Sequence, residues 1–412
     1  MLAEEQRISM ADRLRADFPA LHQSVNGRPL VYLDSAASAQ QPSCVIDTVA
    51  EYARHDHANV HRGVHTLSHR ATDAYEGARD KLAGFINANS RREVVFTSGT
   101  TEAINLVAQS FLRPKAGPGD KILITHMEHH ANIVPWQLVC EQTGAELIVA
   151  PMDDSGTLDT DALYALLDER VLLVGVVHVS NALGTINPVE DIIREAHARE
   201  IPVLVDGAQG VPHKAIDVQA LDCEFYAFSG HKMFGPTGTG VLYAKEALLD
   251  AMPPYQGGGD MILEVSFDKT VYNELPYKFE AGTPNISGFV GLGAAVDYLL
   301  GVGLETVSEL EKDLLEYMTA RLSELDGIRL IGTADNKASV QSFILGDIHS
   351  HDLGTILDHQ GVAIRTGHHC AMPVMQFFDV PGTARASLAL YNNRDDVDRL
   401  VSALTVAQEM FA

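Results

Sequence analysis

From residue 93 to 245 the sequence alternates short apolar runs with amphipathic helical patterns, and this alternation restricts the fold more than any other feature. "EVVFTSG" (93–99) reads as a strand ending in a glycine turn, and "TTEAINLVAQSFL" reads as the helix after it. "KILIT" and "AELIVAP" read as strands on either side of the helix "ANIVPWQLVCEQTG". "VLLVGVVHVSN", the helix "VEDIIREAHARE" and "IPVLVDGA" continue the series, and "FYAFSGHK" and "GTGVLYAK" add two strands. Strands that are apolar along their whole length are covered on both faces, so the sheet is buried and mostly parallel. The class is α/β, a doubly wound layer whose ligands sit at the carboxyl ends of its strands.

Beyond about residue 299 the texture changes. A long helical pattern, "ETVSELEKDLLEYMTARLSEL", precedes the short strands "IRLIG" and "VQSFIL". A further helix leads to "VAIRTG", "ARASLAL" and a final helix. The expectation is a large α/β domain over residues 27–298 and a smaller α+β domain built from 1–26 and 299–412. The length of 412 residues suits two domains.

A net charge of −25 opposes binding to nucleic acid or an anionic membrane, both of which need a positive field. No apolar run reaches the roughly 20 residues of a membrane helix. The opening "MLAEEQRISMADRLRADF" has no apolar core like that of a signal peptide, so the expected location is the cytoplasm. The cysteines Cys44, Cys140, Cys223 and Cys370 form no CxxC pair, which disfavours a disulfide or cysteine-zinc framework. Cys140 and Cys223 lie in apolar patterns and read as small buried hydrophobes. Only Cys370 has basic company.

Three loops at expected strand ends carry chemistry. "TSGTTE" places Gly99, Thr100 and Thr101 at a helix start, where free N–H groups and hydroxyls suit an anion; a plain helix cap is the simpler alternative. "VLVDGAQ" places Asp206 just past a strand, with Gln209 three residues on. "AFSGHKMFGPTGTG" places Ser229, His231 and Lys232 in a glycine-rich loop. Separately these are a turn aspartate and a solvated lysine. Together they suit pyridoxal 5′-phosphate: a lysine for the Schiff base, an acid for the pyridinium nitrogen and a turn for the phosphate. "THMEHHANIVPW" adds His126, His129 and His130, one of which can stack on the ring. Adjacent histidines point apart on regular structure, so a metal site there is disfavoured and none is expected.

"SGHKMFGPTGTG", "VDGAQ", "MEHHANIVPWQ", "NVHRGVHTLS", "FEAGTPN" and "RTGHHCAMP" together resemble the cysteine desulfurases, fold-type I pyridoxal-phosphate enzymes of the class-V aminotransferase family. The nearer resemblance is to the group II, SufS-like branch, which is similar to selenocysteine lyases. It runs from "YLDSAASAQ" to "ARASLALYN" and implies a mostly parallel seven-stranded sheet in the large domain. By the same resemblance, Lys232 is the Schiff-base lysine, Asp206 the pyridinium partner, Gln209 a contact to the ring hydroxyl and His129 the stacking residue. Thr100, Thr101, Ser229 and His231 hold the phosphate. Asn181 and Arg385 hold the substrate carboxylate, for which a guanidinium fork is suited. Arg365 and His61 lie near the substrate and the mouth of the site. Thr283 reaches the phosphate of a neighbouring subunit, which implies a homodimer. Ser98 stands where related sequences often carry arginine.

Cys370 is then the expected nucleophile. It takes sulfur from L-cysteine as a persulfide, releases alanine and passes the sulfur on by thiol exchange. Arg365, His368 and His369 are candidates to favour its thiolate. The compact loop "RTGHHCAMP" has little reach, which implies a dedicated acceptor of the SufE or SufU kind, with a cluster scaffold beyond it. The other readings are a selenocysteine lyase or sulfinate desulfinase on the same scaffold, an aminotransferase or epimerase in which Cys370 is incidental, and a non-catalytic assembly subunit.

Overall fold

The computed structural model describes residues 4–411. Residues 1–3 and 412, which belong to the expected small domain, lie outside the described residues.

The large sheet has seven strands: β1 Val94–Thr97, β2 Lys121–Thr125, β3 Glu146–Ala150, β4 Val171–Val177, β5 Val203–Asp206, β6 Phe225–Ser229 and β7 Gly240–Ala244. Their order is β1-β7-β6-β5-β4-β2-β3. All neighbours run parallel except β7, which is antiparallel to both β1 and β6. β1, β5, β6 and β7 are buried at every residue, as strands covered on both faces must be. Two apolar cores form, one containing Val174, Val205 and Phe228 and the other Leu173, Leu204 and Ala227. Alternate residues of each strand thus feed opposite faces.

The expected first helix is α-helical over Thr100–Leu106 and continues as a π-helical stretch over Val107–Leu112. The expected helix at 131–144 begins as a 3₁₀ turn at His130–Asn132 and becomes α-helical only at Val134–Thr143.

A hairpin, β8 Ile262–Val265 and β9 Thr270–Tyr272, is exposed along nearly its whole length. The second sheet is antiparallel and comprises β10 Ile328–Ile331, β11 Val340–Leu345, β12 Arg365–Gly367 and β13 Thr383–Ser387, in the order β10-β11-β13-β12. The opening helix Glu4–Arg15 is fixed to this part by Arg7–Asp313 (2.7 Å) and Arg15–Asp396 (2.9 Å).

One segment departs from the expected boundary at residue 27. Val31 and Leu33 pack in the core of the second sheet, and Val31–Tyr32 pairs in parallel with Val362–Ala363. The alternation Val31, Leu33 buries one face there and leaves Asp34 to bridge toward Ser387 of β13. The chain therefore enters the second sheet before it enters the first, and Asp34 arrives between the two.

Candidate active site

The strand ends of the large sheet and the loop after β12 enclose a cavity of about 230 Å³. Lys232, Asp206, Gln209, His129, Thr100, Thr101, Ser229, His231, Asn181, Arg365, Arg385 and Cys370 all line it.

Two glycines allow the floor to close. A Cβ on Gly207 would stand 1.9 Å from a ring carbon of Tyr226, so the turn after β5 can pass that ring only as glycine. A Cβ on Gly240 would meet the Cα of Gly99 at 2.3 Å, so β7 presses directly against the turn after β1. In that turn the Thr100 N–H donates to Ser229 Oγ (2.9 Å), and the two hydroxyls are 2.8 Å apart. A hydroxyl pair beside a helix start is a ready anion seat. Ser98 is exposed and outside this cavity; its N–H donates to Glu102.

Asp206 ends β5 and is 2% exposed. Burial pushes its carboxyl up, while the charge of Lys232 and the Ala208 N–H (3.0 Å) oppose that shift. Lys232 is itself pushed down, chiefly by burial, with Asp206 opposing, so the neutral amine is favoured relative to a free lysine. His129 caps the 3₁₀ turn, and its Nδ1 accepts from the Ala131 N–H (3.0 Å). Burial, then the charges of Lys232, His130 and Arg385, lower His129 to about 3. The ring is therefore neutral, with its proton on Nε2.

Several buried atoms lack partners. Gln209 donates its Nε2 to the Ala36 carbonyl (2.6 Å), which leaves Oε1 free. Arg385 spends Nη1 on the Asn181 carbonyl (3.0 Å) and Nη2 on Asp34 (3.0 Å), which leaves Nε free. Asn181 donates Nδ2 to the His369 carbonyl (2.7 Å), which leaves Oδ1 free. A buried polar atom without a partner costs about 1–3 kcal/mol. Three of them around one cavity fit a polar, charged ligand.

Cys370 is exposed at the rim and lines the cavity together with Lys232 and Arg385. Cys223 is buried and its thiol is pushed above its ordinary value by burial; Cys140 is half-buried rather than buried, a departure from expectation. His369 is buried and its Nε2 pairs with Thr383 Oγ1 (2.8 Å), whereas His368 is exposed.

His61 lies away from the cavity mouth where it was expected, and Thr283, expected to serve a neighbouring subunit, lies outside this cavity. His61 pairs with Glu76 (2.8 Å) and lines a separate cavity with Tyr277 and Glu280. Thr283 is exposed beside that second cavity, between its lining residues Gly282 and Pro284. Two residues, Asp34 and Glu128, escaped the sequence reading, and His130 has a place that reading did not give it. Asp34 lies between Arg385 and Arg365 (3.9 Å). Glu128, wholly buried, receives Thr125 Oγ1 (2.6 Å), Asn132 Nδ2 (2.7 Å) and the Val177 N–H (2.9 Å). His130 contacts the Cys370 loop. The signal available for Glu128 was an acid set in an otherwise apolar and imidazole-rich run.

Residues 31–400 match the aminotransferase class-V family. The chain belongs to that family. A cysteine desulfurase of Serratia proteamaculans is 53% identical over 97% of this chain and 98% of its own length, and one of Dickeya dadantii is 56% identical over 95% of each. The solved cysteine desulfurase CsdA of Escherichia coli superposes with a TM-score of 0.91 at 41% identity, over 97% of this chain and 98% of that one. An apo cysteine desulfurase of Thermococcus onnurineus gives 0.91 at 38%, over 100% and 98%. The cofactor of this class-V enzyme is pyridoxal 5′-phosphate, and the residues fit it: a lysine, a buried carboxylate, a hydroxyl pair and unpartnered polar atoms share one cavity.

Proposed function

We propose that the chain is a cysteine desulfurase that converts L-cysteine to L-alanine and stores the sulfur as a persulfide on Cys370. The observation that carries this reading is an exposed thiol, Cys370, on the rim of the same cavity that Lys232 and Arg385 line. When bound, pyridoxal phosphate supplies an electron sink beside the substrate Cα. Asp206 supplies the carboxylate for the ring nitrogen, and neutral His129 flanks the ring without adding charge. Thr100, Thr101, Ser229 and His231 surround the phosphate seat. The free Nε–H of Arg385 and the second N–H of the Asn181 amide receive the substrate carboxylate, with Arg365 nearer solvent.

Lys232, with its affinity for protons depressed, takes the Cα proton and returns it. The Cys370 thiolate attacks the substrate sulfur. The S–S bond forms as the Cβ–S bond breaks, its electron pair stays on carbon, and protonation there gives alanine. L-cysteine plus the Cys370 thiol thus become L-alanine plus the Cys370 persulfide.

The persulfide passes to an acceptor protein of the SufE or SufU kind, in service of iron–sulfur cluster assembly. A rim loop this short has little reach, so the acceptor must come to it. A homodimer is part of the reading. It is supported by exposed Thr283 and by the apolar hairpin β8–β9, where Leu263 is 67% and Val265 64% exposed. Selenocysteine lyase activity is the second reading, because the same floor residues serve it and selenium leaves with less help from Cys370.

The test is alanine and sulfide formed from L-cysteine with a reductant, for the native chain and Cys370→Ala. Both products from the native chain and neither from the variant support the reading. Full activity in the variant defeats it. Variant activity retained on selenocysteine alone favours the lyase. Sulfide release that does not rise with a SufE- or SufU-like acceptor removes the acceptor.

A further inference from the structure

The loop that carries Cys370 is costly to hold. His369 and Cys370 both have positive φ, 54° and 55°, a left-handed conformation that disfavours non-glycine residues by roughly 1–2 kcal/mol each. The helix that follows, Met372–Phe377, begins with a cap that cannot cap. Its N-cap residue is Ala371, which makes no side-chain bond to the first turn. Pro373 has no N–H to satisfy, and the Val374 N–H turns back to Ala371 O (3.1 Å). The Met372 N–H has a partner from a different part of the chain: His130 Nε2 accepts it at 3.1 Å. The same residue donates its backbone N–H to the Cys370 carbonyl at 2.8 Å. His130 therefore brackets the cysteine, one bond on its carbonyl and one two residues beyond.

We propose that His130 is the positioning residue of the sulfur-accepting loop, its imidazole serving as the missing helix cap that fixes Cys370 at the cavity rim. This rests on the reading that Cys370 accepts sulfur, although the clasp itself can be tested without activity. Burial, then the charge of His368, lowers the imidazole of His130, which favours the neutral form able to accept. Its neighbour His129 faces the cavity and bonds within its own turn. One 3₁₀ turn thus places one imidazole against the cofactor seat and the next against the nucleophile's loop.

The experiment uses the full chain with cofactor. His130→Gln keeps an acceptor at similar reach, and His130→Leu keeps the bulk without an acceptor. Amide exchange at residue 372 is read by mass spectrometry with fragmentation. Alkylation of Cys370 by iodoacetamide is read against Cys44, which is also exposed and serves as an internal reference. In the native chain the Met372 amide exchanges at least tenfold more slowly than an unstructured amide. In His130→Leu that protection falls at least tenfold, Cys370 alkylation shifts at least threefold relative to Cys44, and kcat drops about tenfold with KM for L-cysteine within threefold. His130→Gln restores at least half of the protection and of kcat. An unprotected Met372 amide in the native chain overturns the clasp and requires no variant. Native-like exchange or native kcat in His130→Leu also overturns it, as does a His130→Gln variant no better than His130→Leu. Should the native chain make no persulfide while the exchange pattern holds, the desulfurase reading fails and the cap stands as a fact of the fold.

Discussion

On the cavity floor, Asp206, Gln209 and Ser229 are 2%, 2% and 5% exposed, and they stand at or just beyond the ends of adjacent strands of one sheet. On the rim, Cys370 is exposed, carries a left-handed backbone, and depends on residues far away in sequence: Asn181, 188 positions from the His369 carbonyl it holds, and His130, 242 from Met372. The floor is positioned by strand register, which a whole hydrophobic core enforces. The rim is positioned by individual hydrogen bonds, each worth about 0.5–1.5 kcal/mol. A rigid floor suits groups that must meet a cofactor at fixed geometry. A lightly held rim suits a sulfur carrier that must serve a buried substrate first and an outside acceptor afterwards.

The largest effect expected comes from the floor. Lys232→Ala removes the amine that carries the Cα proton, and turnover of L-cysteine to alanine falls by about 10³-fold or more. The fold survives, because Lys232 makes no bond that a strand depends on. Turnover within tenfold of native would show that the floor does not hold the proton carrier. Next is Arg385→Lys. Arg385 is 2% exposed, with two of its nitrogens already committed to Asp34 and Asn181. Lysine can keep the charge but not the fork, so kcat/KM falls roughly 10- to 100-fold, mostly through KM. A change confined to kcat would place the carboxylate elsewhere.

The floor was legible in the sequence, and the rim much less so. Asp206 and Ser229 directly follow an apolar run and Gln209 and Lys232 lie three residues beyond them, so strand-end logic alone collects them. Asp34 was not legible, because it reaches the site only after Val31–Tyr32 has paired with a strand 331 positions later. The divergence of adjacent histidines counted only against a metal site, and it gave no hint that His130 turns toward the Cys370 loop. The second cavity took His61, which belongs to a loop whose placement no local pattern fixes. Glu128 sat inside a quoted motif, but only burial reveals what it does.

Glu128 gives the next prediction, a pH dependence of stability. Burial raises its carboxyl from 4.5 to about 8, with Thr125, Asn132 and Val177 opposing that shift. Below 4.5 both the folded and the unfolded chain hold the proton, and the group is neutral for stability. As pH rises toward 8, the unfolded chain ionises first, so stability falls by a few kcal/mol across that window and levels off above it. Glu128→Gln removes this slope. It places an N–H against the Asn132 amide, costing about 1–3 kcal/mol at pH near 5, and the deficit shrinks or reverses above pH near 8. Denaturant unfolding at both pH values checks this. Parallel pH profiles for the two chains would mean that Glu128 is ionised in the fold and that its three donors outweigh burial.

The smallest effect tests whether floor and rim are separable at all. Asn181 belongs to both: its carbonyl accepts from Arg385 (3.0 Å), and its amide donates to the His369 carbonyl (2.7 Å). In the substrate-free protein, Asn181→Ala leaves the backbone bond to Arg385 and deletes the tether to the rim, along with the amide assigned to the substrate carboxylate. One buried neutral hydrogen bond is worth about 1 kcal/mol, or roughly fivefold in local opening. Amide exchange over residues 368–372 is therefore expected to quicken a few-fold, while the amides of β5 and β6 keep native rates. Exchange that rises equally in β5 would mean that the cysteine loop and the sheet end open as one unit, and the contrast between a register-built floor and a bond-built rim would fall with it.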